Sequence, residues 1–154
     1  MAKETAWHNH KIEKPKNDNE YFERMSRVIF LAGLNWRVID KKWPGLKIAF
    51  SNFDINKVSN YKEQNIEELL NNPDVIHNLA KIRAVIKNAN ELKEIIKEFG
   101  SIESYIKSLG SDEDNLIKSL TKRFAFLGKS TSVIFLYSIG VSLPKTHEKW
   151  LRQQ

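Results

Sequence analysis

The stretch that decides the fold is the longest periodic segment of the chain, Val75-Ile-His-Asn-Leu-Ala-Lys-Ile-Arg-Ala-Val-Ile-Lys-Asn-Ala-Asn-Glu-Leu-Lys-Glu-Ile-Ile-Lys-Glu-Phe99. Its apolar side chains recur every three or four residues, which places them on one face of a helix. They are Ile76, Leu79, Ile82, Ile86, Ala89, Leu92, Ile96 and Phe99. The pattern predicts a helix from Val75 to Phe99 that ends at Gly100.

Helical patterns also cover most of the chain on both sides of this segment. We predict that Pro44 and Gly45 stop the helix that carries Trp36 and Trp43. No segment shows the two-residue alternation of a strand. The chain is therefore predicted to be all-α, with an N-terminal arm over residues 1–18 and one compact helical domain over 19–154. The other predicted helices span 19–31, 46–50, 63–71, 102–109, 111–120, 130–139 and 144–150. One further short helix is predicted to begin after Asp54, its N-cap.

Length, composition and net charge exclude several classes of protein and favour one kind of partner. The chain has 154 residues, a usual length for one domain, and no cysteine, which excludes disulfides, thiolate catalysis and zinc sites built on sulfur. Its longest apolar run, 28–34, is far shorter than the roughly 20 residues of a membrane span. We expect a monomeric, soluble, cytoplasmic protein. The 25 basic and 19 acidic residues give a net charge of +6, which favours a polyanionic partner.

The run Gly128-Lys129-Ser130-Thr131 has some features of a phosphate-binding loop. A nucleotide-hydrolysing loop needs a further glycine where this chain has Arg123, and it needs a preceding strand, so we reject that function. A glycine turn, a lysine and a helix N-terminus still suit one phosphate of a nucleic-acid backbone. An ordinary helix capped by Ser130 is the alternative, and the sequence leaves both open.

Two further sets of polar residues favour ordinary surface roles. The histidines His8, His10, His77 and His147 show no spacing that brings three metal ligands together, so we predict no metal site. Lysines and an arginine of the long helix form a basic stripe opposite its apolar face, which can serve a phosphate backbone or simply be solvated. The stripe consists of Lys81, Arg83, Lys87, Lys93 and Lys97.

Two tryptophans follow a glycine turn. Trp36 and Trp43 are seven residues apart and so share a helical face, which favours core packing for Trp43. Trp36 stands at the first turn of its helix beside Gly33 and Leu34. For Trp36, core packing and ligand binding both remain open.

Several blocks together resemble the DNA-3-methyladenine glycosylase I family. They are Val28-Ile-Phe-Leu-Ala-Gly-Leu-Asn-Trp36, Phe50-Ser-Asn-Phe-Asp-Ile-Asn-Lys-Val58, Ile76-His-Asn-Leu-Ala-Lys-Ile-Arg-Ala84 with Asn88-Ala89, and Lys122-Arg-Phe-Ala-Phe-Leu-Gly128 with Gly140. The blocks stand in the family's order and cover about residues 20 to 141. The resemblance implies an all-helical fold related to the helix-hairpin-helix DNA glycosylases. It also implies excision of 3-methyladenine from alkylated duplex DNA without strand cleavage. For this chain we expect no cofactor.

The resemblance assigns roles by position. Trp36 matches the aromatic residue that stacks on the extruded base, and Trp7 falls near a second pocket aromatic. Gly33 and Leu34 match the loop that enters the duplex where the base has left. Lys81 lies in a stretch where it can approach a phosphate.

The chain also departs from the family. The position of the family's catalytic glutamate is occupied by Val28, and the family's zinc site of two cysteines and two histidines cannot form. His8 and His147 resemble its histidine ligands, but both sulfur ligands are absent. This pattern is similar to a divergent branch of the family. Asp40, one helical turn after Trp36, is a candidate source of the missing negative charge, and a surface aspartate is the alternative.

Three hypotheses follow from these observations. The first is a monofunctional DNA N-glycosylase that releases alkylated purines by base flipping in base excision repair. The second is a non-catalytic module that binds damaged DNA or abasic sites. The third is a helical protein-interaction domain without affinity for duplex DNA.

Overall fold

A computed structural model describes residues 13–146 of the chain. Eight α-helices lie wholly within this range, which contains no strand and forms one helical core, as the sequence predicts. The helices are α1 (Asp18–Leu31), α2 (Trp36–Ala49), α3 (Ile55–Val58), α4 (Glu63–Asn71), α5 (Leu79–Phe99), α6 (Ile102–Ser108), α7 (Glu113–Arg123) and α8 (Lys129–Ser138). The predicted division into an arm and a domain stays a prediction, because residues 1–12 and 147–154 lie outside the described range.

Helix α5 lies at the centre of the fold and packs against α1, α3, α4 and α6. The middle of its predicted apolar face is buried, with Ile82, Ala89 and Leu92 fully shielded from solvent, whereas Leu79 at its start is 42% exposed. The predicted start at Val75 is wrong. The helix begins at Leu79, because the side-chain oxygen of Asn78 accepts a hydrogen bond from the backbone N–H of Lys81 at 3.1 Å and caps the helix there.

Helix α2 continues through Pro44 and Gly45, so the predicted stop and the predicted separate helix at 46–50 are both wrong. Pro44 is exposed, and its ring costs one intrahelical hydrogen bond. The helix gains the burial of Trp43 and Leu46 on its inner face. Gly45 is needed for contact with the loop before α5: a Cβ atom there would lie 2.6 Å from the Cβ of Asp74.

A left-handed turn of three residues, Ser51 to Phe53, follows α2. Such conformations cost roughly 1–2 kcal/mol per residue when the side chain is not glycine. Aromatic stacking holds the turn in place. The Phe53 ring lies 5.1 Å from that of Trp43 and 5.5 Å from that of Phe50, nearly parallel to both.

Both ends of the described chain are fixed by buried charged side chains. The guanidinium of Arg24 donates to the backbone oxygens of Glu13 and Ser138, and this holds the segment before α1 against the end of α8. The Glu113 carboxylate accepts hydrogen bonds from the backbone N–H groups of Lys145 and Thr146 and from the Thr146 hydroxyl.

Among the helices of residues 13–146, none combines the length and the apolar character that a membrane span requires.

The Glu113 contacts predict a pH-dependent stability. Burial by itself raises the pKa of Glu113, but the hydrogen bonds from Thr146 and Lys145 outweigh it and hold the pKa below the ordinary 4.5. The stabilisation is therefore complete above pH 4.5 and is lost as the pH falls through the lower folded-state pKa. We expect Glu113→Gln to lower the free energy of unfolding by about 1–2 kcal/mol at pH 7 in urea titrations.

The difference from wild type should shrink as the pH is lowered below 4.5. The control is Glu67→Gln, which changes an exposed glutamate on α4 and should have little effect at either pH. A Glu113→Gln difference that stays constant from pH 7 to pH 3 contradicts the assignment.

Candidate nucleic-acid interface

The turn between α1 and α2 projects from the protein. Gly33 has a φ of +78°, a left-handed conformation that glycine adopts at little cost, and Leu34 N–H donates to the Leu31 carbonyl at 2.8 Å. The Leu34 side chain is 43% exposed. The Asn35 side chain then accepts a hydrogen bond from Arg37 N–H at 2.8 Å and so starts α2. The result is a short, hydrogen-bonded loop with an apolar tip.

Lys81 supports this turn from beneath, and the prediction that it lies on a basic surface stripe is wrong. Its side chain is 3% exposed, and its ammonium group donates to the Phe30 carbonyl at 2.9 Å and to the Ala32 carbonyl. Burial lowers the pKa of Lys81. These carbonyls end α1 and have no partner inside the helix, so a buried cation satisfies them. In this structure Lys81 therefore orders the loop and does not face a phosphate.

Trp36 stands at the first turn of α2, directly after the projecting turn. Its indole is partly buried and packs against the edge of the core, while part of it stays accessible. The Arg37 guanidinium lies 5.2 Å from the centroid of the indole. Trp43, by contrast, is buried, and its indole N–H donates to the Glu23 carboxylate at 2.9 Å, as expected for a core residue.

Neither Val28 nor Asp40 provides an unpaired carboxylate at this site. Val28 is buried, with 2% of its surface exposed. The Asp40 carboxylate forms an ion pair with Arg27, whose guanidinium also lies 5.0 Å from the Trp43 ring centroid. Asp40 thus has a partner that balances its charge, and its catalytic role stays a prediction.

A second projecting segment is the hairpin between α7 and α8, residues 124–128. Phe126 is 43% exposed and has a φ of +61°, whereas Phe124 and Leu127 on either side are buried. Helix α8 begins at Lys129, one residue earlier than predicted, and its N-cap is Gly128, so Ser130 is not the cap. No described side chain caps this end of the helix. Its N–H groups and the exposed Lys129 are therefore accessible to an anion.

The remaining candidates do not form a site within the described residues. Trp7, His8, His10 and His147 lie outside them. Among residues 13–146 no group of three or more histidine, cysteine, aspartate or glutamate side chains is placed to hold a metal ion. In the predicted basic stripe, Arg83 is paired with Glu63 at 2.7 Å, which neutralises part of its charge.

Sequence reasoning missed Asn88, which is 1% exposed. Its amide donates to the Ala125 carbonyl at 3.0 Å and accepts from the Ala125 N–H at 2.8 Å, so it holds the α7–α8 hairpin by two hydrogen bonds. An asparagine on the apolar face of the long helix was the available signal, because a buried amide needs partners.

Comparison with known proteins identifies the family of this chain. The model of a family described as methyladenine glycosylase matches residues 2–135 of the chain. The chain belongs to the methyladenine glycosylase family. The family consists of DNA glycosylases, which are hydrolases acting on DNA. The zinc site that the resemblance implies does not fit this member, because the chain has no cysteine.

Solved structures share the fold. A crystal structure of 3-methyladenine DNA glycosylase I has a TM-score of 0.76 and 25% identity, covering 88% of this chain and 86% of that one. A tyrosine-to-phenylalanine variant in complex with 3-methyladenine has a TM-score of 0.78 and 22% identity, covering 88% and 84%. A glutamate-to-glutamine mutant of 3-methyladenine DNA glycosylase I from Staphylococcus aureus has a TM-score of 0.79 and 22% identity, covering 88% of this chain and 84% of that one.

The two glycines of the projecting segments make a matched test of the first turn. A Cβ atom would meet nothing within 4 Å at Gly33 or at Gly128, but only Gly33 has a positive φ. We expect Gly33→Ala to lower the free energy of unfolding by about 1 kcal/mol, the cost of a left-handed alanine. Gly128→Ala should change it by less than about 0.5 kcal/mol, because reduced unfolded-state entropy offsets a weaker N-cap. Equal effects in denaturant titrations would show that the turn conformation is misassigned.

Proposed function

We propose that this chain is a monofunctional DNA N-glycosylase that removes alkylated purines, chiefly 3-methyladenine, from duplex DNA by base flipping in base excision repair. The observation that carries the proposal is the accessible Trp36 indole next to the projecting Gly33–Leu34 turn, in a chain of the methyladenine glycosylase family. We propose Trp36 and Trp7 as base-binding residues, and Gly33, Leu34 and Lys129 as DNA-binding residues.

In the binding step, Leu34 enters the duplex and fills the space that the extruded base leaves. Extrusion costs a few kcal/mol, and stacking on an aromatic ring returns roughly 1–3 kcal/mol per base. A 3-methylated adenine in DNA is cationic, so an electron-rich indole face attracts it more than it attracts a normal base. Since Arg37 already lies over one face of Trp36, we propose that the base uses the opposite face.

In the chemical step, the bond between C1′ of the sugar and N9 of the purine breaks. Its electron pair goes to the purine, which cancels the positive charge and leaves as neutral 3-methyladenine. Water adds its oxygen to C1′ of the developing sugar cation and releases a proton to solvent. The product is an intact strand with an abasic site. The cationic base is a good leaving group, so the protein need not protonate it.

The absence of a carboxylate at Val28 lowers the expected rate. A single group that stabilises developing charge is worth about 10²–10³ in kcat, so we expect slow release compared with family members that carry the glutamate. The excess positive charge of this chain supports binding to the backbone, where Lys129 and the uncapped N-terminus of α8 suit one phosphate.

Trp36→Ala tests the proposed pocket. We expect this variant to lose release of free 3-methyladenine from methylated duplex DNA by about tenfold or more, because one stacking contact is worth 1–3 kcal/mol. Release is measured by chromatography of the free base in single-turnover reactions. Ile48→Ala is the control, since Ile48 is 78% exposed on the same helix and should release base at the wild-type rate.

Trp36→Ala that folds like wild type and releases 3-methyladenine at an unchanged rate contradicts the pocket assignment. Circular dichroism and the thermal midpoint establish that both variants are folded.

A second function is favoured by Val28: a non-catalytic module that binds abasic or damaged sites. In that case purified protein at high concentration releases no base, yet binds a duplex with an abasic-site analogue tightly and with a steep salt dependence. Base release by wild type that falls by about tenfold or more in Trp36→Ala excludes this alternative. A protein that shows neither base release nor binding to duplex DNA at moderate salt contradicts both functions.

A further inference from the structure

The two projecting segments rest on the same helix. Lys81 and Asn88 lie on α5, seven residues or about two turns apart, which is roughly 10 Å along the axis. Both side chains are buried, with 3% and 1% of their surface exposed. Lys81 bonds the backbone at the base of the Gly33–Leu34 turn, and Asn88 bonds the backbone of the α7–α8 hairpin.

We propose that Lys81 and Asn88 are positioning residues that fix the Gly33–Leu34 turn and the Lys129-bearing hairpin at a set spacing, so that one duplex engages both. The proposal rests on the function proposed above. It assigns different tasks to the two residues: Lys81 serves base extrusion, and Asn88 serves attachment to the DNA backbone.

Asn88 fixes the backbone of Ala125, the residue that precedes the left-handed Phe126. Phe126 is held at a φ of +61°, although the Cβ atom of any residue other than glycine makes a left-handed conformation costly. Such conformations persist only where the surroundings determine them. Asn88 bonds both the N–H and the carbonyl of Ala125, the residue just before Phe126. Without this clamp the hairpin can relax, and Lys129, three residues beyond Phe126, loses its fixed position.

Lys81 has the corresponding task at the other segment. Its ammonium group bonds the carbonyls of Phe30 and Ala32, one on each side of Leu31, whose own carbonyl accepts from Leu34 N–H. The three bonds together set the direction in which Leu34 projects. An uncharged side chain of similar length at position 81 leaves the two carbonyls buried without a donor, and the turn must rearrange to reach solvent.

Hydrogen exchange tests the positioning itself, without DNA. The variants are Asn88→Ala and Lys81→Met. The matched controls are Asn90→Ala, whose amide bonds the Ser59 and Ile86 carbonyls away from both segments, and Lys118→Met, an exposed lysine on α7. We expect the Ala125 amide to exchange at least tenfold faster only in Asn88→Ala, and the Leu34 amide only in Lys81→Met. Unchanged exchange at these amides overturns the proposal.

DNA measurements then separate the two tasks, at a temperature where every variant is folded. Asn88→Ala should bind an abasic-site duplex about tenfold more weakly, with a shallower salt dependence, and keep its single-turnover rate of base release within twofold. Lys81→Met should release base about tenfold more slowly and bind undamaged duplex within twofold of wild type. Lys81→Arg keeps charge and donors and should recover most of the rate.

A merely structural role predicts a different result, in which both variants change affinity and rate by the same factor or change neither, and this overturns the proposal. If Asn88→Ala does not fold, Asn88→Ser replaces it, because its shorter hydroxyl side chain cannot bridge both groups of Ala125. If wild type binds duplex but releases no base, the glycosylase function fails. The proposal then stands or falls on hydrogen exchange and abasic-site affinity.

Discussion

The bond between the Lys81 ammonium group and the end of α1 is the interaction on which the site depends. A helix leaves its last carbonyls without partners, and they carry the negative end of its dipole. Here a buried cation from α5 satisfies the Phe30 and Ala32 carbonyls. Because the bond crosses from the central helix to the turn, the position of Leu34 and of Trp36 behind it is tied to the core.

Most of the fold could be predicted from sequence because helix formation here follows periodicity. The apolar spacing of α5 and the Gly100 terminator identify its extent to within four residues at the start, and Asn78 explains the difference as a cap. Pro44 was the exception. Local rules place a helix end there, but burial of Trp43 and Leu46 in the core carries α2 past it, and no local pattern reports that packing.

The candidate site was only partly predictable. The glycine turn and Trp36 could be identified from residue type and spacing, since few other residues suit a left-handed turn or a stacking surface. The partners of Lys81, Asp40 and Asn88 could not be predicted, because each contacts a segment between 13 and 51 residues away in sequence. A solvated surface lysine and a lysine that caps a buried helix end cannot be told apart in the sequence, because the difference lies in contacts that only the fold creates.

The chain combines a family fold with an altered set of charges. Val28 removes the negative charge that the family resemblance places beside the base, Asp40 is balanced by Arg27, and the absence of cysteine excludes a sulfur-bound zinc. What remains is the exposed Leu34 and the partly accessible Trp36, the surface that we propose extrudes and stacks a base. For a cationic lesion such as 3-methyladenine this is a chemically sufficient starting point, because the base already carries the charge that makes it leave.

The most direct test of this account is a crystal structure of the protein bound to a duplex with an abasic-site analogue, in the presence of free 3-methyladenine. The account predicts the purine stacked against the Trp36 indole, Leu34 in the gap of the duplex and a backbone phosphate at the N-terminus of α8. A complex in which the indole of Trp36 is sealed in the core, and the duplex lies on another face of the protein, contradicts it.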